Sequence, residues 1–424
     1  MTTAIKNNLE SYCSGVSARA RQASRLLTGL SGAIKDRWLL ESAKRIEASV
    51  SQITEANLLD LGNAEQYGLT AAEIDRLRLT PQRISEIANG LRVIAALPDP
   101  VGEVIEGSTR PNGLQITKIR VPLGVVFFIY ESRPNVTADA AAIAVKSGNA
   151  IILRGGKEAN HSSRAIVAIM QSAAAEMGVP TDAVQLVSTT DRDAVSQFLK
   201  HSQWIDLVIP RGGESLIRRV VAEATMPVLK HYDGNCHVYV DQHADLTMAL
   251  SVVENAKCQR MGVCNALESL LVHRDVADAF LPALANKLRD HKIEIRGDTS
   301  TQSLISDAVP ATEKDWSTEY LGPILSIRIV ESLEDAIDHI NQYGSHHTDA
   351  IMTSNIDAAK QFVTRVDSSA VIVNASTRFN DGSQLGLGAE IGISTDKFHA
   401  RGPCGLRELT TTKYVVYGDG QVRN

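Results

Sequence analysis

One cysteine stands where a thiol could act as a nucleophile. Cys264 lies two residues after Gly262 and directly before Asn265, at the start of an apolar run. A turn of this kind can hold a thiol open to a substrate, and a thiolate both attacks an acyl carbon and leaves it again. The alternative is that Cys264 is a small buried apolar residue, the usual state of a free cysteine. Cys258 lies six residues earlier, where a helical register would bury it.

Histidines on either side of this segment could suggest a metal site. His231, Cys236 and His237 fall within seven residues of one another. Two histidines and one cysteine without a fourth ligand at a fixed spacing are weak evidence for zinc, so we predict no metal. His346 and His347 are expected on a solvated turn.

Two apolar segments end in glycine pairs that open helical patterns. A glycine turn lets the backbone approach a phosphate, and the helix that follows offers free N–H groups and a partial positive charge. An ordinary strand-to-helix turn also needs glycine, but two such turns that both carry cations favour a dinucleotide site. The residues of these turns that we predict to bind a cofactor are Arg154, Lys157, Arg211, Gly212, Gly213, Glu214 and Ser215.

A third glycine-rich segment, Gly386 to Gly392, has the wrong spacing for a dinucleotide fingerprint. It also follows a loop rather than a strand. We interpret it as a flexible loop over the substrate.

The elements that position these residues alternate along the chain. Residues 1–98 carry helical periodicity, and residues 107–120 predict a β-hairpin around a Pro-Asn-Gly turn. From Val121–Tyr130 onward, short apolar strands alternate with helices, which indicates a doubly wound parallel sheet. A second alternating run from Cys236 to about Val373 predicts a second α/β domain, and the final Glu408–Tyr417 predicts a last strand. The strands predicted in the second run are Val238–Val240, Ser269–Val272, Ile293–Ile295, Ile324–Ile329 and Val371–Val373.

Composition narrows the classes of partner. The 424 residues carry 43 Lys and Arg against 49 Asp and Glu, a net charge of −6, with no basic block that would bind nucleic acid. Five cysteines are too few for a disulfide scaffold and suggest a reducing cytoplasm. The N-terminus lacks the apolar core of a signal peptide, and no apolar window is long enough to span a membrane. We therefore expect a cytoplasmic enzyme with a small-molecule substrate.

A thiol nucleophile on a dinucleotide-binding fold points to redox chemistry between an acyl group and an aldehyde, through a thioester.

Several motifs resemble those of the gamma-glutamyl phosphate reductase family, a branch of the aldehyde dehydrogenase superfamily, over almost the whole chain. They are Val121–Val125, Tyr130–Val136, Arg211–Ser215, Met261–Asn265, Glu319–Pro323 and Val371–Asn374. The resemblance implies an aldehyde-dehydrogenase-like α/β fold, with two doubly wound α/β domains and a small β oligomerisation element, and therefore a homo-oligomer.

The resemblance also implies a domain plan. An NADPH-binding domain would comprise residues 1–106 and 121–232, and a catalytic domain carrying Cys264 would comprise residues 233–373. The β oligomerisation element would comprise residues 107–120 and 408–424. Residues 374–407 would return to the cofactor domain and carry a substrate loop.

Roles for single residues follow from the same resemblance. Cys264 takes the position of the nucleophile, and the Asn135 amide with the Cys264 backbone N–H would form the oxyanion hole. Glu319 would contact the nicotinamide ribose and Arg154 the adenosine ribose. Arg133, Arg378, Asp381 and Arg401 are candidates for binding the substrate's carboxylate and ammonium groups. Each could equally be a surface charge, and Arg133 and Arg401 are preferred because arginine suits bidentate carboxylate recognition.

Two departures from the superfamily pattern are informative. His231 stands where hydrolytic members have the glutamate that activates water, and its loss suits an enzyme that must not hydrolyse its thioester. Lys157 stands where NAD-preferring members often have a glutamate. A lysine there, beside Arg154, would attract a 2′-phosphate and so favours NADPH.

The family's reaction is the NADPH-dependent reduction of L-glutamate 5-phosphate, the product of glutamate 5-kinase, to L-glutamate 5-semialdehyde and phosphate. It is the second step of proline biosynthesis from glutamate. One alternative is a coenzyme-A-acylating aldehyde dehydrogenase, which also lacks the hydrolytic glutamate. Another is a binding protein that has lost its chemistry, against which the intact Cys264 and Asn135 argue. The sequence shows no obvious base beside Cys264.

Overall fold

The computed structural model describes residues 3–423, apart from the side chains of residues 3–7 and of Ala72. The chain divides into two compact units. The first unit consists of Met1–Lys230, Leu387–Gly392 and Cys404–Asn424, and the second consists of His231–Gly386 and Ile393–Pro403.

Helices make up most of the first unit, in agreement with the periodicity of residues 1–98. A helix start at Pro81 shows why they begin where they do: the Thr80 hydroxyl accepts a hydrogen bond from the Arg83 N–H at 3.2 Å, and proline suits the first helical position. The helices are α1 (Thr3–Leu27), α2 (Gly32–Ala48), α3 (Val50–Gly62), α4 (Ala71–Leu77), α5 (Pro81–Ala96), α6 (Pro134–Lys146), α7 (Asn160–Met177), α8 (Asp193–Phe198) and α9 (Glu214–Glu223).

A parallel sheet forms the centre of the first unit, with the order β5-β4-β3-β6. Its strands are β3 (Val125–Ile129), β4 (Ala150–Arg154), β5 (Val184–Leu186) and β6 (Leu207–Pro210), which follow β1 (Val104–Thr109) and β2 (Gln115–Pro122) in the chain. The predicted strand Val121–Tyr130 is wrong at its start, because the chain turns at Gly124 with φ of +133°. A Cβ atom at that position would lie 2.1 Å from an Asp206 carboxylate oxygen, so only glycine fits.

The second unit contains a parallel sheet with the order β10-β9-β11-β8-β7-β12-β13. Its strands are β7 (Cys236–Val240), β8 (Leu267–His273), β9 (Glu294–Gly297), β10 (Val309–Pro310), β11 (Ile324–Val330), β12 (Thr348–Met352) and β13 (Ala370–Val373). Its helices are α10 (Leu246–Cys258), α11 (Arg274–Asp290), α12 (Thr299–Leu304), α13 (Leu333–Tyr343) and α14 (Ile356–Arg365).

Two strands of this sheet, β10 and β12, are missing from the sequence prediction, and the reason is clear for the longer one, β12. Its polar start, Thr348 and Asp349, interrupts the apolar pattern, yet both residues are buried. Asp349 is buried because its carboxylate accepts hydrogen bonds from the backbone N–H of His237 at 2.8 Å and from that residue's ring. A polar pair inside a sheet gives no periodic signal.

Near the C-terminus, β14 (Gly392–Ser394) and β15 (Gly402–Cys404) pair with each other in a separate two-stranded sheet. A small antiparallel sheet consists of β1, β2 and the last strand. The last strand, β16 (Thr410–Tyr417), pairs with β2 to give the order β1-β2-β16. The predicted hairpin and the predicted last strand are therefore both present.

The change of domain differs from the predicted boundary. We predicted that the return segment begins at residue 374, but residues up to Gly386 pack in the second unit. Side-chain hydrogen bonds hold this stretch there, because Thr377 donates to the Asn265 carbonyl and Asn380 donates to the Thr348 hydroxyl, both within 2.8 Å. Among the helices of residues 3–423, none combines the length and apolar character that a membrane span requires.

Candidate active site

The thiol of Cys264 lies in the second unit, half-buried in the loop between α10 and β8. The carbonyl of Cys264 accepts a hydrogen bond from the Cys236 thiol at 3.1 Å. Gly234 packs against the same carbonyl so closely that a Cβ atom there would lie 1.9 Å from the oxygen. On the other side, the Asn265 amide donates to the Asn380 carbonyl at 3.0 Å. The backbone that carries the thiol is therefore fixed from both sides.

Two histidines accompany the thiol. One ring nitrogen of His231, one of His347 and the Cys264 sulfur all lie within 4.8 Å of one another. The Nδ1 atom of His231 lies 3.0 Å from the Ile393 carbonyl oxygen. A carbonyl only accepts, so Nδ1 carries the proton and Nε2 keeps its lone pair. An imidazole base is thus available beside the thiol.

His347 corrects the expectation of a solvated turn. It is fully buried at the entry to β12, with Nδ1 2.7 Å from the Thr348 hydroxyl oxygen. His346, by contrast, keeps 45% of its side chain exposed and lies near Asp367. The sequence prediction missed His347 because it missed the strand that follows.

The metal set considered from sequence does not assemble. The Nδ1 atom of His237 lies 3.1 Å from an Asp349 carboxylate oxygen, and its ring packs on His339. Burial raises the pKa of Cys236 well above its usual range. Partial burial also raises the pKa of Cys258 to about 11, but this residue is half-buried rather than buried as predicted.

Two of the four predicted substrate residues lie in the chain segment that follows β13. Burial, together with the nearby charge of Arg260, lowers the pKa of Arg378, whereas the charges of Asp381 and Cys264 act in the opposite direction. Arg378 is therefore within electrostatic reach of the thiol, and its Nε atom donates to Gln259 at 2.9 Å. The Asp381 carboxylate accepts from the backbone N–H and hydroxyl of Ser383, at 2.9 and 2.5 Å, within its own turn.

The other two substrate candidates lie in different units. Arg401 forms an ion pair with Asp367 at 2.9 Å, in the second unit. Lys397 contacts the same carboxylate at 2.6 Å, and these cations lower the pKa of Asp367. Arg133 belongs to the first unit, where it precedes Pro134 at the start of α6.

Glu319 is half-buried in the second unit, on a segment that is tied to β8, the strand that follows the thiol loop. Two residues later, the N–H of Leu321 donates to the Glu268 carboxylate at 3.0 Å. Glu268 also forms a fully buried ion pair with Lys257 at 2.6 Å, and burial raises the pKa of Glu268 to about 7. The hydrogen bond from Leu321 thereby attaches the Glu319 segment to Glu268, which lies four residues after Cys264 in the chain.

A cleft of about 610 Å³ opens in the first unit at the ends of β3 and β4. Positive charge predominates in its lining, with six cations against three carboxylates. The cations are Arg76, Arg133, Arg154, Lys157, Arg192 and Arg219, and the carboxylates are Glu73, Glu131 and Glu158. Such a cleft attracts an anion.

The first glycine turn forms one wall of this cleft. Arg154 donates to the Thr190 carbonyl at 3.1 Å, and its Nε atom is buried without a partner among the described residues. Burial lowers the pKa of Arg154. The Lys157 ammonium lies 4.3 Å from the centre of the Tyr67 ring, a cation–π distance. Gly155 also packs closely, since a Cβ atom there would lie 3.0 Å from the Tyr130 ring.

The second glycine turn contributes less to the cleft than the sequence predicted. Ser215 lines it, whereas Arg211, Gly212, Gly213 and Glu214 do not. The N–H of Gly213 donates to Glu131 at 3.1 Å, and Glu214 pairs with Arg218 at 2.6 Å. The Nη1 atom of Arg211 is buried without a partner in the part of the chain that is described.

Asn135 occupies an exposed position in the first turn of α6. Its amide nitrogen lies 3.4 Å from the Asp139 carboxylate, one helical turn further on. Burial raises the pKa of Asp139 to about 6. An amide held by one hydrogen retains a second donor for another acceptor.

Comparison with known proteins identifies the family. The aldehyde dehydrogenase family matches residues 11–308 and 295–415. The chain belongs to the aldehyde dehydrogenase family. A gamma-glutamyl phosphate reductase from Rhodopirellula baltica is 63% identical over 417 residues, covering 98% of this chain and 96% of the relative. One from Moorella thermoacetica is 54% identical over 405 residues, covering 96% and 97%.

A solved structure supports the same relationship. The crystal structure of a gamma-glutamyl phosphate reductase from Thermotoga maritima superposes with a TM-score of 0.95 at 45% identity, covering 97% of this chain and 100% of that chain. The predicted aldehyde-dehydrogenase-like fold is therefore confirmed.

Membership of the aldehyde dehydrogenase family implies a nicotinamide cofactor, and the first unit fits one. The cleft lies at the carboxyl ends of parallel strands, where dinucleotides bind in open α/β sheets. Its volume, its excess of cations and the buried Nε atom of Arg154, which has no partner among the described residues, suit the phosphates and ribose of a dinucleotide.

Proposed function

We propose that this enzyme is a gamma-glutamyl phosphate reductase, which converts L-glutamate 5-phosphate to L-glutamate 5-semialdehyde and phosphate in proline biosynthesis. The observation that carries the proposal is a positioned thiol with an imidazole, rather than a carboxylate, at the residue 231 position. The names of relatives at 63% and 54% identity over nearly the full chain support the same substrate.

The reaction begins at the thiol. The Nε2 atom of His231 takes the proton of Cys264, and the thiolate attacks the acyl carbon so that phosphate leaves and a thioester remains. The Asn135 amide and the Cys264 backbone N–H donate to the carbonyl oxygen while negative charge develops on it. When bound, NADPH supplies the hydride that reduces the thioester carbon. Cys264 departs as a thiolate when the aldehyde forms.

A histidine at position 231 also protects the thioester. Its proton-bearing Nδ1 atom is held by the Ile393 carbonyl, so only one ring nitrogen can act as a base. Once that nitrogen has taken the thiol proton it cannot activate water, because an imidazolium has no lone pair. The thioester therefore persists until it is reduced.

The cofactor is NADPH rather than NADH. Lys157 and Arg154 lie together on the cleft wall, and their charges attract the 2′-phosphate that distinguishes the two cofactors. Glu158 is adjacent in sequence, but its carboxylate accepts a hydrogen bond from the Ser132 hydroxyl at 2.8 Å. Ser215 binds near the remaining phosphates, whereas Arg211, Gly212, Gly213 and Glu214, which do not line the cleft, are not proposed as contacts. Glu319 binds the nicotinamide ribose.

The substrate's carboxylate binds to Arg378, the candidate for which the second unit offers most support. Its guanidinium interacts electrostatically with Cys264, and Asp381 in the same segment suits the substrate ammonium. Arg133 and Arg401 are weaker candidates, and Arg401 is engaged by Asp367. This order reverses the preference that we drew from the sequence.

The assembly is a homo-oligomer formed through the antiparallel sheet. Apolar side chains are exposed on both outer strands, among them Val104 and Ile105 on β1 and Tyr414 and Tyr417 on β16. Exposed apolar surface on a strand pair favours contact with another copy. None of the five cysteines forms a disulfide with another described residue, which suits a reducing cytoplasm.

The reverse reaction tests this function, because the acyl phosphate is labile. Purified enzyme is mixed with pyrroline-5-carboxylate, which is in equilibrium with the semialdehyde, together with NADP⁺ and phosphate, and NADPH absorbance is followed. We expect NADPH formation that requires phosphate and is absent in Cys264→Ala. Turnover that requires coenzyme A instead of phosphate would contradict the proposal and indicate an acylating aldehyde dehydrogenase.

A further inference from the structure

The side chains of His231 and Cys264, together with that of His347, form a possible ligand set for a metal ion. Their three donor atoms lie within 4.8 Å of one another. A thiolate with two imidazoles is a set that zinc binds well, and zinc sites with three protein ligands leave a fourth position open. With bonds of about 2.0 to 2.3 Å, tetrahedral zinc needs donor atoms about 3.3 to 3.6 Å apart, so small side-chain rotations suffice.

The surroundings of these ligands are those of a prepared site. A histidine that binds a metal usually donates its other ring N–H to a backbone carbonyl, and His231 does so to Ile393 at 3.0 Å. The His347 ring is buried and held by the Thr348 hydroxyl at 2.7 Å, while Asn380 donates to that hydroxyl at 2.7 Å. The carbonyl of Cys264 is fixed by the Cys236 thiol. Ring orientation and backbone position are both set before a metal arrives.

The net charge of the bound ion indicates which ligand would occupy its fourth coordination position. One thiolate and two neutral imidazoles leave a bound Zn²⁺ with one net positive charge. Arg378, which interacts with the charge of Cys264, adds a further cation nearby. An anion such as hydroxide or phosphate therefore suits the open position better than a neutral ligand.

We propose that His231, Cys264 and His347 bind Zn²⁺, and that the bound ion inhibits the enzyme reversibly. Binding forms the sulfur–zinc bond as the thiol loses its proton to solvent, with no change of oxidation state. The bound ion coordinates the Cys264 sulfur, which must attack the substrate, and the His231 imidazole, which must take the thiol proton. Neither group can then react. The inhibition rests on the proposed function, whereas the binding does not.

Cobalt provides the test of the site. Full-length protein freed of metal with a chelator is titrated with Co²⁺, and absorbance is followed in the near ultraviolet, where thiolate-to-cobalt charge transfer appears, and in the visible. We expect one equivalent with a tetrahedral spectrum, displaced by Zn²⁺. Cys264→Ser should lose the charge-transfer band. His347→Gln should weaken Co²⁺ binding by more than about 10-fold, since changing even an outer-sphere partner typically costs 10- to 100-fold.

Matched controls separate the site from other thiols and histidines. Cys258→Ser and His346→Gln should bind Co²⁺ as the wild type does. Thermal unfolding of each variant, and alkylation of Cys264 by iodoacetamide in His347→Gln, establish that the loop is intact. An unchanged charge-transfer band in Cys264→Ser, or in His347→Gln with an intact loop, would overturn the site.

Turnover in the reverse assay tests the inhibition separately. Zn²⁺ should inhibit the wild type, a chelator should restore it, and inhibition of His347→Gln relative to its own rate should require at least about 10-fold more Zn²⁺. A cobalt site without zinc inhibition would overturn the inhibitory role. If the metal-free enzyme shows no phosphate-dependent turnover, the proposed function fails, while the cobalt spectrum still decides the binding site.

Discussion

The two regions that carry the chemistry are built in different ways. In the cleft of the first unit, Arg154 and Lys157 come from one turn, close in sequence and attached to a strand end. The thiol site of the second unit is assembled from distant segments, since its Cys236–His347 contact joins residues 111 positions apart. The affinity of the cationic turn for the cofactor should therefore fall only moderately when one of its residues is replaced. Chemistry that depends on long-range packing should fail sharply.

The sharpest test of this contrast is His231→Gln. Glutamine can still donate to the Ile393 carbonyl but offers no basic nitrogen, so we expect kcat/KM to fall by about 10²- to 10⁴-fold. Alkylation of Cys264 by iodoacetamide should slow in parallel. His346→Gln is the control, because the His346 side chain lies near Asp367 and does not belong to the cluster of His231, Cys264 and His347. An unchanged kcat/KM would show that His231 is not the base.

A second variant tests the backbone that carries the thiol. Gly234→Ala would place a Cβ atom 1.9 Å from the Cys264 carbonyl oxygen and must move the loop. A displacement of about 1 Å in a reacting group can cost about 10²-fold in rate, and we expect a loss of at least that size in kcat/KM. Gly62→Ala, where no described atom outside the local helix backbone lies within 4 Å of the added Cβ, should retain full activity. Equal activities of the two variants would contradict a rigidly held thiol.

On the cofactor side, Lys157→Glu should change selectivity rather than abolish turnover. Replacing a cation by an anion beside the 2′-phosphate should reduce the NADPH-to-NADH ratio of kcat/KM by roughly 10- to 100-fold. Turnover with saturating NADH should persist. The matched control is Lys200→Glu, an exposed lysine of the same unit that does not line the cleft. A ratio that does not move would remove Lys157 from the cofactor site.

The smallest expected effect concerns Asp139. Its pKa of about 6 means that the carboxylate accepts the Asn135 amide more strongly as the pH rises through that value. A hydrogen bond to a charged acceptor is stronger than one to a neutral acceptor by about 1 kcal/mol, and it holds the Asn135 amide in place for the reaction. The rate of the wild-type enzyme should therefore rise about 5-fold as the pH increases through 6. Asp139→Asn should lose this rise in a pH–rate profile. A rise that persists in the variant would assign it to another group.

Stability offers an independent check on the same residue. Burial raises the pKa of Asp139 from its ordinary 3.8 to about 6, so the folded protein favours the protonated acid. The stabilisation is fully present below 3.8 and is lost as the pH rises through about 6. Asp139→Asn should therefore unfold at a higher temperature than the wild type at pH 8, and not at pH 4.

Sequence patterns predict most of the fold and the position of the first glycine turn. Glycine and cations that follow an apolar strand are local signals, and Arg154 and Lys157 lie on the cleft wall as expected. Gly124 and β12 escaped the prediction for opposite reasons. A single glycine divides one apolar run into two strands, and a buried Thr-Asp pair conceals another strand.

The thiol side could be predicted only in part. Cys264 stands out because of its glycine turn, and its loop position agrees with that signal. His347 does not stand out, because nothing near it in sequence indicates burial, and only the pairing of β7 with β12 brings it to the thiol. Likewise the engagement of Arg401 by Asp367 depends on a contact between segments that sequence patterns do not connect.

The central claim is that the reaction proceeds through a thioester on Cys264. The most direct measurement mixes the enzyme with NADP⁺ and the semialdehyde in the absence of phosphate, followed by mass spectrometry of the cysteine-containing peptides. We predict one γ-glutamyl group on Cys264, formed with one equivalent of NADPH and removed by phosphate. An absent adduct despite NADPH formation, or an adduct on Cys258 instead, would contradict the claim.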